Sequence, residues 1–505
     1  MFVQGSFPKE IRLLPGSAAH ISAEARLAMW RSADYLRLYP YFNDTVHGFA
    51  REPAPPGNEI RRGRIAPAVH RLAAPYLALA HPQKKLWKAD VLMIGEARRP
   101  FLIPMLLRVL TGIINKGLSV IYLVQSDTPE CEAIAELAEQ LNCERQLECL
   151  DPWRIERILD RNISHLEGYY RASQTYHYIE SLLPAHLHIW PHTFRTMLAG
   201  AQSMLAWELL QRQISYDTLV VRNHFYPSLS AAAAIDSIVN GKLVVTLQHG
   251  AVADLHGHFP IGAHRIVCFG ESSRQVLSTY DQRFADAAGR PTICKEFLLG
   301  GSLFDTIKLY PNGSSHKTLL VLDQCAIKTE EHYGVQREFD SLYETVRRIL
   351  LHSSAVKRVI IRLHPSNQKG RMWMQLKDEF PSRVELSLPE YSLDFDLGRS
   401  SVVLGLFSTG LPTTAACGIP TVLLWEADWF YTPDLAGFAP DAYIAPDDAV
   451  GYIDRLLSNE GAYSEARDFA LQAGSAYYHR RRECDFGPEL IEQMIAPRPG
   501  GPAPK

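Results

Sequence analysis

Three short polar segments, each closing an apolar run, carry the residue types that phosphate chemistry needs. Gln248, His249 and Gly250 follow KLVVTL, Arg362, His364 and Pro365 close VIIRLHP, and Ser408, Thr409 and Gly410 follow VVLGLF. Arg362 is a fixed cation and His364 an imidazole that titrates near neutral pH, so the pair suits the negative charge that grows on a departing phosphate. Pro365 restricts His364 to extended geometry. Ser408 and Thr409 precede a small-residue stretch, where hydroxyls and open backbone N–H groups can hold a phosphate and Gly410 permits close approach. A plain helix cap would use the same hydroxyls. His249 offers a base for an acceptor hydroxyl, and for both histidines a structural bond to a backbone carbonyl is the competing account.

Weaker candidates surround these three. Asp254, His256 and His258 follow in AVADLHGHFP, but a His-x-His pair lacks a third ligand at zinc spacing. Glu96 lies just past VLMIG, beside Arg98 and Arg99. Asn223 and His224 end YDTLVVRNH and border the same expected edge. The run from His479 to Arg482 reads as a solvated helix end. GEARRP is not a GxGxxG fingerprint and no GxxxxGK[ST] loop is present, so neither a nicotinamide nor an ATPase reading is encouraged.

The elements that must position these residues follow from periodicity. ADVLMIGEA reads as a buried strand, PFLIPMLLRVLTGIINKG as a helix closed by Gly117, and LSVIYLVQ as a second strand. The same grammar returns in YDTLVVRNH, SLSAAAAIDSIVNG and KLVVTLQHG. A second series begins near Lys317 with TLLVLDQ, FDSLYETVRRILLHS, VKRVIIRLHP and RMWMQLKDEF, and continues through RVELSL, SVVLGLFST, LPTTAACG and PTVLLW. Such alternation predicts parallel sheets covered by helices, and ligands of such sheets gather at the carboxyl ends of the strands. The expected fold class is α/β: two Rossmann-like domains, 86–305 and 306–490, facing a central cleft. Residues 1–85 form an irregular N-terminal extension, broken at EPAPPGNE, and 491–505 a disordered tail ending PRPGGPAPK.

Composition narrows the class of function. The chain has 505 residues, 47% hydrophobic, with 52 Lys plus Arg against 55 Asp plus Glu, so its net charge of -3 gives no global attraction for nucleic acid. An anion must be held locally. Eight cysteines include no CxxC pair, which argues against a structural zinc or a disulfide framework. No run of about 18 apolar residues occurs and MFVQGSFPKEIRLLPG lacks the core of a secretion signal, so the expected location is cytoplasmic.

Taken in order on two α/β series, VVTLQHG, VIIRLHP and LFSTGLPTTAACGIPTV resemble the GT-B glycosyltransferase-like enzymes that build bacterial capsule and surface polysaccharides. These include capsule Kdo transferases, bacterial sialyl- and polysialyltransferases, and CDP-glycerol glycerophosphotransferases. LGGSLFD, from Leu299 to Asp305, resembles a Gly-x-x-x-Phe-Asp stretch near their domain junction, and the likeness covers Ala89 to Trp425. It implies that Arg362 and His364 contact the donor's nucleotide phosphate, with Ser408, Thr409 and Gly410, and that His249 is the candidate base. The acidic motif that supplies the base in bacterial sialyltransferases has no clear copy here, so His249, Asp254 and Glu96 all remain candidates. Thr413 and Thr414 stand where retaining enzymes of the Glu-x7-Glu type carry a carboxylate, which disfavours that subclass.

The function that the resemblance implies is transfer of a sugar, CMP-activated and of nonulosonic or Kdo type, to a hydroxyl of a surface glycan or of a lipid- or protein-linked acceptor. The second domain would hold the donor; Gln248, Gly250, Asn223 and His224 of the first would meet the acceptor. No cofactor and no metal are expected, nucleic acid is not a partner, and peripheral association with a membrane assembly complex at the inner face stays open. A nucleotide-sugar epimerase, a CDP-polyol phosphotransferase and a non-catalytic binding or assembly protein are the alternatives.

Overall fold

The computed structural model describes residues 18–33, 35–36, 38, 49–50, 87–95, 103–143, 145–152, 161–189, 193–222, 228–248, 261–300, 308–310, 316–323, 336–364, 370–387, 391–406, 408, 410–426, 429, 443–478 and 486–496. Within the N-terminal extension, α1 (Ala18–Trp30) packs Ala25, Met29 and Trp30 into a cluster with helices that follow later in the chain. It is an integrated helix.

The first sheet has seven parallel strands: β1 (Val91–Ile94), β2 (Val120–Leu123), β3 (Leu147–Leu150), β4 (Thr218–Val221), β5 (Leu243–Leu247), β6 (Arg265–Cys268) and β7 (Glu296–Leu299). Their spatial order is β7-β6-β5-β4-β1-β2-β3. Every residue of β1, β2, β4, β5 and β6 is buried, which is why these strands read as continuous apolar runs. The helices are α2 (Ile103–Asn115), α3 (Pro129–Leu141), α4 (Arg161–Leu182), α5 (Thr193–Leu210), α6 (Leu229–Val239) and α7 (Glu271–Ala288). Gly117 and Gly241 close α2 and α6 at φ of +78° and +75°, a left-handed geometry that glycine adopts without steric cost. Thr128 caps α3 by accepting the Cys131 N–H, with Pro129 in the first turn. The pair α4 and α5 was not anticipated from sequence. It adds a helical layer with α1, and the small side chains Ala231 to Ala234 let α6 lie close beneath it.

The second sheet has six parallel strands: β8 (Thr318–Leu322), β9 (Arg358–Arg362), β10 (Val384–Ser387), β11 (Val402–Gly405), β12 (Thr421–Leu424) and β13 (Tyr443–Ile444), ordered β10-β9-β8-β11-β12-β13. That is the doubly wound order 3-2-1-4-5-6, and the first sheet follows the same scheme with a seventh strand. The accompanying helices are α8 (Gln336–His352), α9 (Arg371–Glu379), α10 (Leu393–Leu397), α11 (Gly410–Ala416), α12 (Ala449–Ser458), α13 (Glu460–Tyr477) and α14 (Pro488–Ile495). Alternate residues of the strands bury into two clusters, one beneath α8, α9 and α12, the other beneath α10, α11 and α13. Each sheet with its covering helices is thus a doubly wound, Rossmann-like unit of parallel strands, two such units following one another in the chain.

The last helices return to the first domain. Phe269, just past β6, packs its ring tilted against those of Tyr477 and Tyr478 at centroid distances of 6.4 and 5.7 Å. Arg265 Nη1 donates to the carbonyls of Met494 and Ala496 at 3.1 and 2.6 Å, closing the end of α14. The tail expected from residue 491 is corrected in part: α14 continues to Ile495 because Ile491 and Met494 are fully buried. PRPGGPAPK lies outside the described residues. No described helix is long and apolar enough to cross a membrane.

Candidate functional site

In a doubly wound sheet the strand order reverses beside the first strand, and the crevice at that reversal is where ligands bind. In the second sheet it falls between β8 and β11. Register brings Leu322 opposite Arg362 and Val321 opposite Leu404, so the ends of β9, β8 and β11 form one continuous edge. Neighbouring strands lie about 4.8 Å apart; His364 and Ser408 therefore flank the end of β8 on either side.

The residue that ends β8 is Asp323, which sequence reasoning passed over. Asp323 is 4% exposed, and its carboxylate accepts the backbone N–H of His364 at 3.2 Å through Oδ2 and the indole N–H of Trp373 at 2.8 Å through Oδ1. Its own N–H donates to the Arg362 carbonyl at 2.9 Å. The main chain around His364 is thus held from its neighbour strand, with the histidine half-buried at the edge. The rule that picked out the other three segments, a polar residue closing an apolar run, applies equally to TLLVLD and would have found it.

Arg362 points to the face covered by α10. Its Nη1 donates to Asp396 Oδ2 at 2.8 Å; the same oxygen accepts the Ser387 hydroxyl at 2.6 Å, and Oδ1 accepts Arg399 Nη2 at 2.9 Å. Arg399 in turn reaches Glu385 at 2.9 Å, and Glu385 also pairs with Arg358. The expected phosphate ligand is one end of a charge ladder on the sheet. Ser408 accepts the Gly410 N–H at 3.2 Å through its hydroxyl, and its carbonyl accepts the Leu411 N–H at 3.0 Å, so both its oxygens are turned to the first turn of α11. A Cβ on Gly410 would stand 2.9 Å from Leu322 Cδ1, so a larger residue there would shift that side chain where the helix meets β8.

The first sheet reverses between β1 and β4, whose ends lead to Gly95 and Arg222. Tyr122 donates its hydroxyl to Glu130 Oε1 at 2.6 Å; burial, then the Glu130 charge, pushes the phenol pKa well up. A Cβ on Gly95 would lie 2.3 Å from that same Oε1 and 2.8 Å from the Tyr122 ring, so any side chain there would push apart the Tyr122–Glu130 pair. Glu130, Tyr122 and the buried Arg222 were likewise missed, since an isolated Glu in a helical first turn and a Tyr inside an apolar strand carry no signal of their own.

Gln248 differs from expectation. It is 4% exposed, and its amide joins three elements: Oε1 accepts the Phe269 N–H at 2.8 Å, while Nε2 donates to the hydroxyls of Ser273 at 3.1 Å and Tyr477 at 3.4 Å. It is a brace between β5, α7 and α13 rather than an open acceptor contact, because a buried amide must satisfy its polar atoms internally. His249, Gly250, Asp254, Glu96, Asn223, His224 and Thr409 lie outside the described residues, as do His256, His258, Pro365 and the run from His479 to Arg482. Among the described residues no group of three or more His, Cys, Asp or Glu could hold a metal ion.

No family model matches the chain, and no curated protein matches it. Among solved structures it is similar to the UDP-GlcNAc 2-epimerase of Neisseria meningitidis bound to UDP-GlcNAc, at 13% identity over 77% of this chain and 97% of that one, with a TM-score of 0.42. It is also similar to HepE of Anabaena in complex with UDP-glucose, at 12% identity over 81% and 98%, TM-score 0.43. A third is a TarM mutant of S. aureus in complex with UDP, at 11% identity over 82% and 100%, TM-score 0.45. Likenesses this distant carry no reaction across to this chain.

Proposed function

We propose that the chain is a nucleotide-sugar enzyme of GT-B type: a glycosyltransferase that moves a CMP-activated sugar of nonulosonic or Kdo type to a hydroxyl of a surface glycan or glycoconjugate. What supports this reading is that Arg362, His364 and Ser408 stand at or just past the ends of the strands on either side of β8, where the order of the second sheet reverses. In this reading 306–490 binds the donor and 86–305 presents the acceptor. The acceptor oxygen bonds to the anomeric carbon and gives its proton to His249, Asp254 or Glu96. The bond from that carbon to the phosphate oxygen breaks, its electron pair staying on the departing nucleotide. Arg362, His364 and the Ser408 hydroxyl stabilise the charge that develops there, and closure of the cleft limits hydrolysis of the donor.

His364→Ala tests the assignment. Transfer and donor hydrolysis should both fall by about 10²-fold or more while the circular dichroism spectrum is retained. Near-normal turnover refutes the role of His364. Isomerised donor without release of nucleotide, in wild-type protein given no acceptor, would replace transfer by epimerisation.

A further inference from the structure

The guanidinium of Arg362 is only half engaged. Among the described residues its hydrogen bond is the one through Nη1 to Asp396, and the side chain keeps 19% exposure while Asp396 has none. The ladder holds three cations, Arg358, Arg362 and Arg399, against two carboxylates, Glu385 and Asp396. One positive charge is left over; the ladder ends at Arg358, 49% exposed, and at Arg362, 19% exposed, and Arg362 is the end that lies at the carboxyl edge of the sheet. A buried carboxylate that already accepts Ser387 and Arg399 has little freedom to move, so it fixes the guanidinium plane of its third donor.

We infer that Asp396 is a positioning residue for an anion site: its buried carboxylate sets the fork of Arg362 so that the remaining guanidinium N–H groups face the phosphate of a nucleotide. This rests on the reading of the second-sheet edge as the donor-phosphate site. Asp396 lies on α10, a five-residue helix between β10 and β11, and reaches Arg362 across the end of β10, where Ser387 pairs with it in register. Without the carboxylate Arg362 keeps its charge and loses its orientation. Arg362→Lys keeps the charge and loses the fork, so it should resemble the loss of Asp396 more than the loss of Arg362.

The test is calorimetric CMP binding to the full chain as wild type, Asp396→Asn, Arg362→Ala and the double variant, with thermal melts alongside. Asp396→Asn should weaken CMP roughly tenfold, the size of one lost charge-assisted bond. The double variant should bind no more weakly than Arg362→Ala, because Asp396 acts through Arg362. Unchanged affinity in Asp396→Asn, or losses that add in the double variant, overturns the inference even if the melting temperature drops. Should Asp396→Asn not fold, Ser387→Ala removes one of the bonds fixing the same carboxylate oxygen; a CMP loss that vanishes in the Arg362→Ala background supports the inference, and no loss overturns it. If wild-type protein binds none of CMP, CDP, UDP or GDP, the donor reading itself fails; if it binds CMP and Asp396→Asn binds equally, only the positioning role fails.

Discussion

Arg362 and His364 stand two residues apart, yet different carboxylates hold them: Asp396 takes the guanidinium and Asp323 takes the histidine's backbone N–H. The basic residues were legible because each breaks an apolar run at its end. Asp396 was not, since LDFDL is too short to show a helical period and its partner lies 34 positions away. Gln248 was legible as a strand end but not as a brace, because Tyr477 is 229 positions distant. A buried acid elsewhere gives a prediction. Asp281 on α7 is fully buried and accepts the Ile261 N–H at 2.9 Å; burial pushes its pKa up to about 7, against the opposing pull of that N–H and of Lys295. Unfolded, it titrates near pH 3.9. Between about pH 4 and about pH 7 the native state therefore binds a proton that the unfolded chain has lost, and stability falls as pH rises through that window. Urea midpoints should be lower at pH 8 than at pH 5, and Asp281→Asn should reduce the difference. An equal pH dependence in both proteins would contradict this.

At the scale of elements, β1, β2, β4, β5 and β8 to β12 and the helices α2, α6, α8, α9 and α11 follow the apolar periodicity of the sequence, whereas β3, β6, β7 and β13 are not marked by it. The pair α4 and α5 does not follow it either. These helices pack against α1, α6 and each other, so apolar residues spread around them instead of forming one stripe, and the pattern that marks a helix covering a sheet is lost. The crossing of α11 and α13 was equally hidden, because it depends on what a glycine lacks. A Cβ on Gly474 would lie 2.3 Å from the Ala416 backbone, so the two helices touch main chain to main chain. Gly474→Ala should destabilise the protein by about 1–3 kcal/mol or more, through forced separation of the helices. Gly451, at an exposed position of α12, would meet nothing within 4 Å, and Gly451→Ala should stabilise by about 0.5–1 kcal/mol through lost backbone freedom in the unfolded chain. Thermal melts of the two variants measure both; similar shifts in one direction would show that crowding at the crossing is not what distinguishes them.

For the whole molecule, two alternating series were enough to anticipate two parallel sheets, since parallel strands need a crossover and the crossovers are the helices. The return of α13 and α14 onto the first domain was not anticipated. It depends on contacts such as Gln248 with Tyr477 and Arg265 with the end of α14, whose partners are far apart in sequence and local in space. These contacts tie the second sheet's helices to the first domain, beside the strand that leads into His249. The edge formed by β9, β8 and β11 is the proposed seat of the phosphate of a nucleotide-sugar donor. Its most direct test is the melting temperature of wild type and His364→Ala with saturating CMP, CDP, UDP or GDP, because a ligand of the native state raises it. A rise with cytidine nucleotides in wild type that is abolished or greatly reduced in His364→Ala is the predicted result; no response to any nucleotide, or the same rise in both proteins, would contradict it.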